Sequence, residues 1–170
     1  MHFAGLKSVS ESVKTPLLYW DVNVNGSLKL FSTMKKYNCK TIVFSSSATV
    51  YGLRETSLKE DFDLKPANPY GETKVVVERI LKNLSISEKD SWRIANLRYF
   101  NPIGAHPSGF IGENPNNTPE NIFPLICQVA LGKRDKLYVF GNDWPTKDGT
   151  CIRDYIHIMD LIDAHIKAID

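Results

Sequence analysis

A tyrosine and a lysine four residues apart, Tyr70 and Lys74, are of types and spacing that suit proton chemistry. Residues four apart on an α-helix lie one above the other, so the phenol and the ammonium would share a face. A neighbouring cation and a helix N-terminus both favour the phenolate. We therefore expect a lowered pKa for Tyr70 and a role as general acid or base near neutral pH. Taken alone, a tyrosine and lysine at this spacing are more often a surface tyrosine beside a solvated lysine than a catalytic pair. The residues around the pair favour the catalytic interpretation instead.

A helix is predicted to carry this pair. Asn68 can cap the helix, and Pro69 suits its first turn. Apolar residues from Val75 to Leu84 then recur at helical spacing and provide a stripe that can be buried. Tyr70 and Lys74 would thus lie in the first turns of a helix that packs on a core.

Buried strands are predicted on either side of this helix. Thr41–Phe44 is a continuous run of β-branched and aromatic residues, as is typical of a central parallel strand, and Ile94–Phe100 is another apolar run. Leu17–Tyr37 has a helical pattern, with Gly26 as a weak point. Alternating strands and helices predict an α/β fold, a partial Rossmann-like, doubly wound parallel sheet. Ligands bind beyond the carboxyl ends of such strands, where Gly5, Ser45–Ser47 and Phe100–Asn101 would lie.

The character of the chain changes after Pro102. Prolines and glycines mark a long irregular region. A helix is predicted over Ile122–Leu131, then a short strand over Leu137–Phe140. A last helix is predicted with Asp160 as its N-cap.

Composition excludes several classes of function. The chain has 170 residues and a net charge of +2, which gives no electrostatic case for nucleic acid or membrane. No segment is long and apolar enough to cross a bilayer, and no signal peptide is visible. Three scattered cysteines, Cys39, Cys127 and Cys151, predict reduced thiols in a cytoplasmic protein. No ligand cluster accompanies His106 or His157, so no metal site is expected.

Ser47 adds a third polar group to the tyrosine and lysine. A serine hydroxyl can hold a substrate hydroxyl or carbonyl, a tyrosine can transfer its proton, and a lysine can polarise the tyrosine and hold a ribose. This is the equipment for hydride transfer at a secondary alcohol, with a nicotinamide as cofactor. The alternative for the serines alone is a strand-end loop.

Several stretches together resemble the extended short-chain dehydrogenase/reductases, and among them most closely the UDP-glucose 4-epimerases. The matching stretches cover nearly the whole chain: His2–Lys7, Phe44–Gly52, Pro69–Gly71 with Lys74, Leu97–Gly112, Gly141–Asp143 and Asp148–Asp160.

The resemblance implies a reaction and a role for each site residue. Tyr70 would take the proton of the sugar 4-hydroxyl while C4 gives its hydride to NAD, in the interconversion of UDP-galactose and UDP-glucose. Lys74 would tune Tyr70 and hold the nicotinamide ribose, and Ser47 would bond the 4-oxygen. Residues implied to line NAD are Phe3, Ala4, Gly5, Leu6, Lys7, Ser47, Tyr70, Lys74 and Phe100. Residues implied to hold the UDP-sugar are Ser47, Tyr70, Asn101, Asn121, Ile122, Tyr138, Phe140 and Arg153.

These implied ligands also have structural alternatives. Phe100 and Phe140 could be core aromatics, Asn101 a turn residue, and Arg153 a surface ion-pair partner of Asp154.

Two regions and an assembly are also expected. Residues 1–101 would be the second half of an NAD-binding Rossmann domain. Residues 102–170 would be part of a substrate-binding lobe with a return helix. A homodimer is expected through the helices around Leu17–Tyr37 and Tyr70–Leu84.

The chain departs from the family in places. It has no Gly-x-x-Gly-x-x-Gly turn, and Val22 stands where the family usually has an asparagine that contacts the cofactor. We therefore expect a fragment that does not bind NAD tightly by itself. Alternatives are a non-catalytic remnant or subunit that binds a UDP-sugar or a partner chain, and an epimerase or reductase for another UDP-sugar. Ala48 and Thr49 replace the Asp-Glu pair of related dehydratases, which argues against dehydration.

Overall fold

The computed structural model describes residues 1–54, 56–89, 91–114, 119 and 121–170. It divides into two compact units: unit 1 is Met1–Phe100 with Asp163–Asp170, and unit 2 is Asn101–Ile162. Each unit is described by itself. No helix among the described residues has both the length and the apolar character that a bilayer crossing requires.

Helices and two strands alternate in unit 1. Their order is α1 (Val9–Lys14), α2 (Pro16–Tyr19), a π-helical turn (Trp20–Asn25), α3 (Gly26–Lys36), β1 (Thr41–Ser45), a 3-10 turn (Ala48–Tyr51), α4 (Pro69–Ser87) and β2 (Arg93–Leu97). The predicted helix over Leu17–Tyr37 is therefore present but divided, because the turn at Trp20–Asn25 is wider than an α-helix. Helix α1 was not predicted.

A parallel sheet forms the centre of unit 1. β1 pairs with β2 in register from Thr41 opposite Arg93 to Ser45 opposite Leu97. His2 forms a parallel bridge to Phe44. Parallel strands joined by a helix confirm the predicted α/β, partial Rossmann-like class.

The core of unit 1 lies between this sheet and two helices. Phe31 of α3, Ile42 and Phe44 of β1, and Val77 and Leu81 of α4 are each at most 3% exposed and pack together. Burial of these large side chains stabilises the end of the sheet and the helix that carries Tyr70 and Lys74. A second cluster joins Val50, Tyr51 and Val75.

Unit 2 contains little regular structure. Its elements are β3 (Asn101–Ile103), α5 (Ile122–Ala130), β4 (Tyr155–His157) and the start of α6 (Ile158–Lys167), which continues into unit 1. β3 and β4 are parallel, with Pro102 opposite Ile156. Helix α5 confirms the predicted helix over Ile122–Leu131.

One predicted strand is absent, and two predicted boundaries were wrong. Leu137–Phe140 is not a strand, because it has no hydrogen-bonded partner strand among the described residues. Asp160 is not an N-cap, since α6 begins at Ile158 and the His157 ring nitrogen Nδ1 accepts from the amide of Met159. The predicted strand over Ile94–Phe100 ends at Leu97, and the chain re-enters a strand at Asn101.

Candidate active site

Local sequence determines the first turn of α4. Asn68 is extended, and its Oδ1 accepts from the amide of Gly71 at 2.8 Å, while Pro69 occupies the first turn. A Cβ at position 71 would lie 2.8 Å from Pro66 Cβ and 3.2 Å from the Thr49 carbonyl oxygen. The glycine therefore allows the preceding loop to pack directly against the start of the helix.

The Lys74 side chain is buried at the carboxyl end of β1. It is 7% exposed, and its Nζ donates to the carbonyl oxygen of Ser45 at 2.7 Å. The same nitrogen lies 4.9 Å from the ring centroid of Phe44 and 5.7 Å from that of Tyr70. The tyrosine and lysine thus share a face, as their spacing predicts.

Burial shifts the pKa values of both Lys74 and Tyr70, and the shift of Tyr70 is opposite to the one expected from the sequence. Burial lowers the pKa of Lys74 to about 8, against the charge of Glu78, which raises it. Burial raises the pKa of Tyr70; Ser47, as a hydrogen-bond partner, lowers it, and Tyr99 raises it. The expected lowering of the Tyr70 pKa was therefore wrong for the chain as described. The cost of a buried phenolate outweighs the favourable groups nearby.

Ser47 lies directly beyond β1. Its Oγ caps the 3-10 turn by accepting from the Thr49 amide at 3.3 Å and from Thr49 Oγ1 at 2.9 Å. Its own hydroxyl proton can be donated toward Tyr70. Ser47, Tyr70 and Lys74 therefore meet beyond the end of a parallel strand, where α/β folds bind ligands.

Sequence reasoning missed Asn23, which organises the first loop. Asn23 is 4% exposed; its Oδ1 accepts from the Leu6 amide at 2.8 Å, and its Nδ2 donates to the Leu6 carbonyl at 3.0 Å and to Thr73 Oγ1 at 3.1 Å. The π-helical turn carries this side chain, and such turns are frequent at functional sites. A polar residue within an otherwise apolar helical pattern was the available signal. The adjacent Val22 is 39% exposed.

The remaining nucleotide candidates lie along the surface of unit 1. Phe3 is 56% exposed and Phe100 is 38% exposed. Ala4, Gly5 and Lys7 are exposed as well, and Leu6 is half-buried. Neither aromatic ring is a core residue, so the structural alternative for Phe100 does not hold.

The candidates of unit 2 fall into separate local groups. Asn101 donates to the carbonyl of Asp154 at 2.9 Å, and Asn121 donates to Glu113 at 3.4 Å. The rings of Tyr138 and Phe140 stack with centroids 6.5 Å apart. Ile122 is 44% exposed and Phe140 is 91% exposed, so Phe140 is not a core aromatic.

Arg153 does not form the ion pair with Asp154 that was its structural alternative. Its guanidinium donates to the carbonyl of Ile152 at 3.0 Å. No ion pair of Arg153 occurs within the described ranges.

The chain matches known proteins along its whole length. The model of the NAD dependent epimerase/dehydratase family matches residues 1–170. A UDP-glucose 4-epimerase of Bacillus subtilis (strain 168) is 57% identical over 171 residues, which cover 100% of this chain and 50% of the relative. UDP-glucose 4-epimerase GEPI48 of Cyamopsis tetragonoloba is 55% identical, over 99% of this chain and 48% of the relative.

Solved structures agree with this match. The UDP-glucose-4-epimerase of Stenotrophomonas maltophila, with bound NAD and formylated UDP-arabinopyranose, superimposes with a TM-score of 0.93 at 50% identity, over 99% of this chain and 50% of that one. The enzyme of Bifidobacterium longum, in complex with NAD+ and UDP, has a TM-score of 0.93 at 47% identity, over 99% and 51%. The chain therefore spans about half the length of the relatives it matches.

Proposed function

We propose that this chain, which belongs to the NAD dependent epimerase/dehydratase family, carries the catalytic residues of a UDP-glucose 4-epimerase. The reaction would interconvert UDP-galactose and UDP-glucose by reversible oxidation at C4. The observation that carries the proposal is the convergence of Ser47, Tyr70 and Lys74 beyond β1. No carboxylate lies between Ser45 and Gly52, which disfavours a dehydratase.

Each member of the cluster has a role that its contacts support. The Ser47 hydroxyl donates to the sugar 4-oxygen, and the Tyr70 oxygen exchanges the 4-hydroxyl proton. Since its pKa is raised, Tyr70 holds a proton at neutral pH in the chain alone, which suits return of the proton to the 4-oxygen. Bound NAD supplies the hydride acceptor and donor for C4, and the positive charge of its oxidised ring favours the phenolate.

The donor groups of unit 1 fit a nicotinamide nucleotide. The Lys74 ammonium has three N–H groups and gives one to Ser45, which leaves two for ribose hydroxyls. The exposed loop Phe3–Lys7 is held through Leu6 by Asn23. We assign the nucleotide to Phe3, Ala4, Gly5, Leu6, Lys7, Ser47, Tyr70, Lys74 and Phe100. We assign the UDP-sugar to Ser47, Tyr70, Asn101, Asn121, Ile122, Tyr138, Phe140 and Arg153, whose guanidinium suits a diphosphate.

A chimeric enzyme tests the proposal. Residues 1–170 replace the matching half of the Bacillus subtilis relative, and conversion of UDP-galactose to UDP-glucose is measured. We expect activity in the chimera. Tyr70→Phe should lower kcat by roughly 10²–10⁴-fold, because the proton can no longer be exchanged.

Tyr37→Phe is the matched control, since Tyr37 is 72% exposed and lies outside the site. It should leave kcat unchanged. A folded but inactive chimera would support the alternative of a non-catalytic remnant. Activity on UDP-xylose or UDP-N-acetylglucosamine without activity on UDP-galactose would assign another UDP-sugar.

We propose a homodimer through the helices around Leu17–Tyr37 and Tyr70–Leu84. Leu17 is 82% exposed, Leu28 is 43% exposed and Ile86 is 66% exposed, and exposed apolar groups of this size favour association. Sedimentation of the chimera should give a dimer that Leu17→Asp weakens; a monomer at micromolar concentration would refute it.

We also propose a cytoplasmic location. Cys39, Cys127 and Cys151 are all exposed and unpaired, which suits a reducing compartment. A fluorescent fusion that enters a secretory compartment would contradict this.

A further inference from the structure

An ion pair between the buried Glu78 and the half-buried Arg98 lies one helical turn beyond Lys74 and takes no part in the proposed steps. Glu78 of α4 is 4% exposed, and Arg98 donates to both carboxylate oxygens from Nε at 3.0 and 3.1 Å and from Nη2 at 2.7 Å. Ser46 Oγ donates to Oε1 of the same carboxylate at 2.5 Å. A buried charge requires such partners, so this site is built to keep a negative charge inside the unit.

Arg98 is itself held from the side opposite Glu78. Its Nη1 donates to the Tyr51 hydroxyl and to the Glu60 carbonyl, each at 2.9 Å. The guanidinium lies 5.2 Å from the centroid of the Tyr51 ring. Glu78, and to a smaller extent Tyr51, raise the pKa of Arg98, so that it stays charged. Arg98 therefore fixes the Glu78 side chain in one place.

We propose that Glu78 is a positioning residue that acts through Lys74: its negative charge keeps the Lys74 side chain an ammonium, which has the positive charge and the third N–H group that a ribose and the tyrosine oxygen can use. The reaction to which this contributes is the proposed function. Burial brings the Lys74 pKa to about 8, close to the pH of the cell interior, while Glu78 opposes that shift. Without this carboxylate, a larger share of Lys74 would be the neutral amine at neutral pH.

The other groups near Lys74 supply no second negative charge. They are the Ser45 carbonyl and Phe44 ring of β1, the Tyr70 phenol of α4, and the Tyr99 phenol, which bonds Ser45 Oγ. His2 interacts electrostatically with Lys74 but supplies no negative charge. Burial, the Lys74 charge and the chain N-terminus lower the pKa of His2, so it is neutral near pH 7. Within the described part of unit 1, Glu78 is thus the carboxylate that bears on Lys74.

A titration of Lys74 in the purified chain tests this inference without requiring turnover. The Lys74 ammonium is followed by 15N NMR of labelled lysine between pH 6 and pH 11, with Lys74→Met assigning the signal. Glu78→Gln should move the Lys74 titration to lower pH. Arg98→Gln should move it to higher pH, because the carboxylate then lacks its own cation. Glu72→Gln removes an exposed charge from the same helix and should leave the titration unchanged.

The sign of the shifts separates this role from a purely structural one. Loss of the ion pair destabilises both single variants alike, but only an electrostatic role moves Lys74 in opposite directions. Equal melting losses with an unchanged Lys74 titration would overturn the inference. If either single variant does not fold, Glu78→Gln/Arg98→Gln must still titrate Lys74 below the unsubstituted chain, and an unchanged value would refute the proposal. An inactive chimera with the predicted NMR shifts would refute the proposed function and leave this inference standing.

Discussion

The buried polar residues around the tyrosine–lysine pair of unit 1 and the exposed aromatic candidates of unit 2 are held in very different ways. Ser46, Lys74 and Glu78 are at most 7% exposed and are joined to strands, helices and one another by side-chain hydrogen bonds. In unit 2, Tyr138 is 57% exposed and Phe140 is 91% exposed, and no regular element holds either residue.

This difference indicates which structural features fix the side chains of a site before a ligand binds. A tyrosine–lysine pair on a capped helix that packs on a sheet keeps its geometry without a ligand, because core burial outweighs the entropy of the side chains. Exposed ligands on irregular backbone keep more freedom and lose it on binding.

Truncation of a core side chain in unit 1 should lower the free energy of unfolding far more than truncation of an exposed side chain in unit 2. Leu81 is 0% exposed and packs on Phe31, Ile42 and Phe44, so Leu81→Ala should lower the free energy of unfolding by about 2–5 kcal/mol. Phe140→Ala, a large truncation at an exposed position of unit 2, should change it by less than about 0.5 kcal/mol. Urea denaturation measures both. Equal losses in the free energy of unfolding would contradict the proposed difference between the two units.

Lys74 should make stability depend on pH. Its pKa falls from 10.5 unfolded to about 8 folded, so between these values the unfolded chain binds the extra proton and stability rises with pH. The buried charge costs about 3 kcal/mol below pH 8. Lys74→Met should abolish the rise in the free energy of unfolding from pH 8 to pH 10. The exposed unit 2 lysine offers the control: Lys136→Met should keep that rise, and its loss there would contradict the assignment.

Asn23 should contribute more to the free energy of unfolding than Asn121 of unit 2. Asn23→Ala leaves the Leu6 amide and carbonyl without their side-chain partner and should cost about 1–3 kcal/mol. It should also speed amide exchange at Leu6. Asn121→Ala removes a single 3.4 Å contact with Glu113 and should cost less than about 0.5 kcal/mol. Unchanged exchange at Leu6 would show that Asn23 does not hold the loop.

Two carboxylates should differ in their response to salt. Hydrogen bonds and charges from Lys35 and Lys40 lower the pKa of Glu88 to about 2, whereas hydrogen bonds from Thr150 lower that of Asp148. The stability from Glu88 is therefore present above its unfolded value of 4.5 and is lost as pH falls toward 2. NMR titration in 1 M salt should raise the Glu88 pKa more than the Asp148 pKa, because salt screens ion pairs. A larger rise at Asp148 would contradict this.

Local sequence predicted helix α4 well. Asn68, Pro69 and the apolar stripe act within a few residues of one another, so the cap and first turn of α4 follow from the sequence. The continuous apolar run Thr41–Phe44 likewise predicted β1. The strand predicted over Leu137–Phe140 failed because a strand requires a partner, which local pattern does not supply.

Local residue patterns were enough to predict that Tyr70 and Lys74 share a helix face and that Ser47 follows a buried strand. The ionisation of these groups could not be predicted locally, because burial of Lys74 and Tyr70 and the placement of Glu78 depend on residues 20 or more positions away. Asn23 and Leu6, 17 residues apart, are joined for the same reason. Spacing along the chain determines which side chains can point together, but solvation and charge depend on everything packed around them.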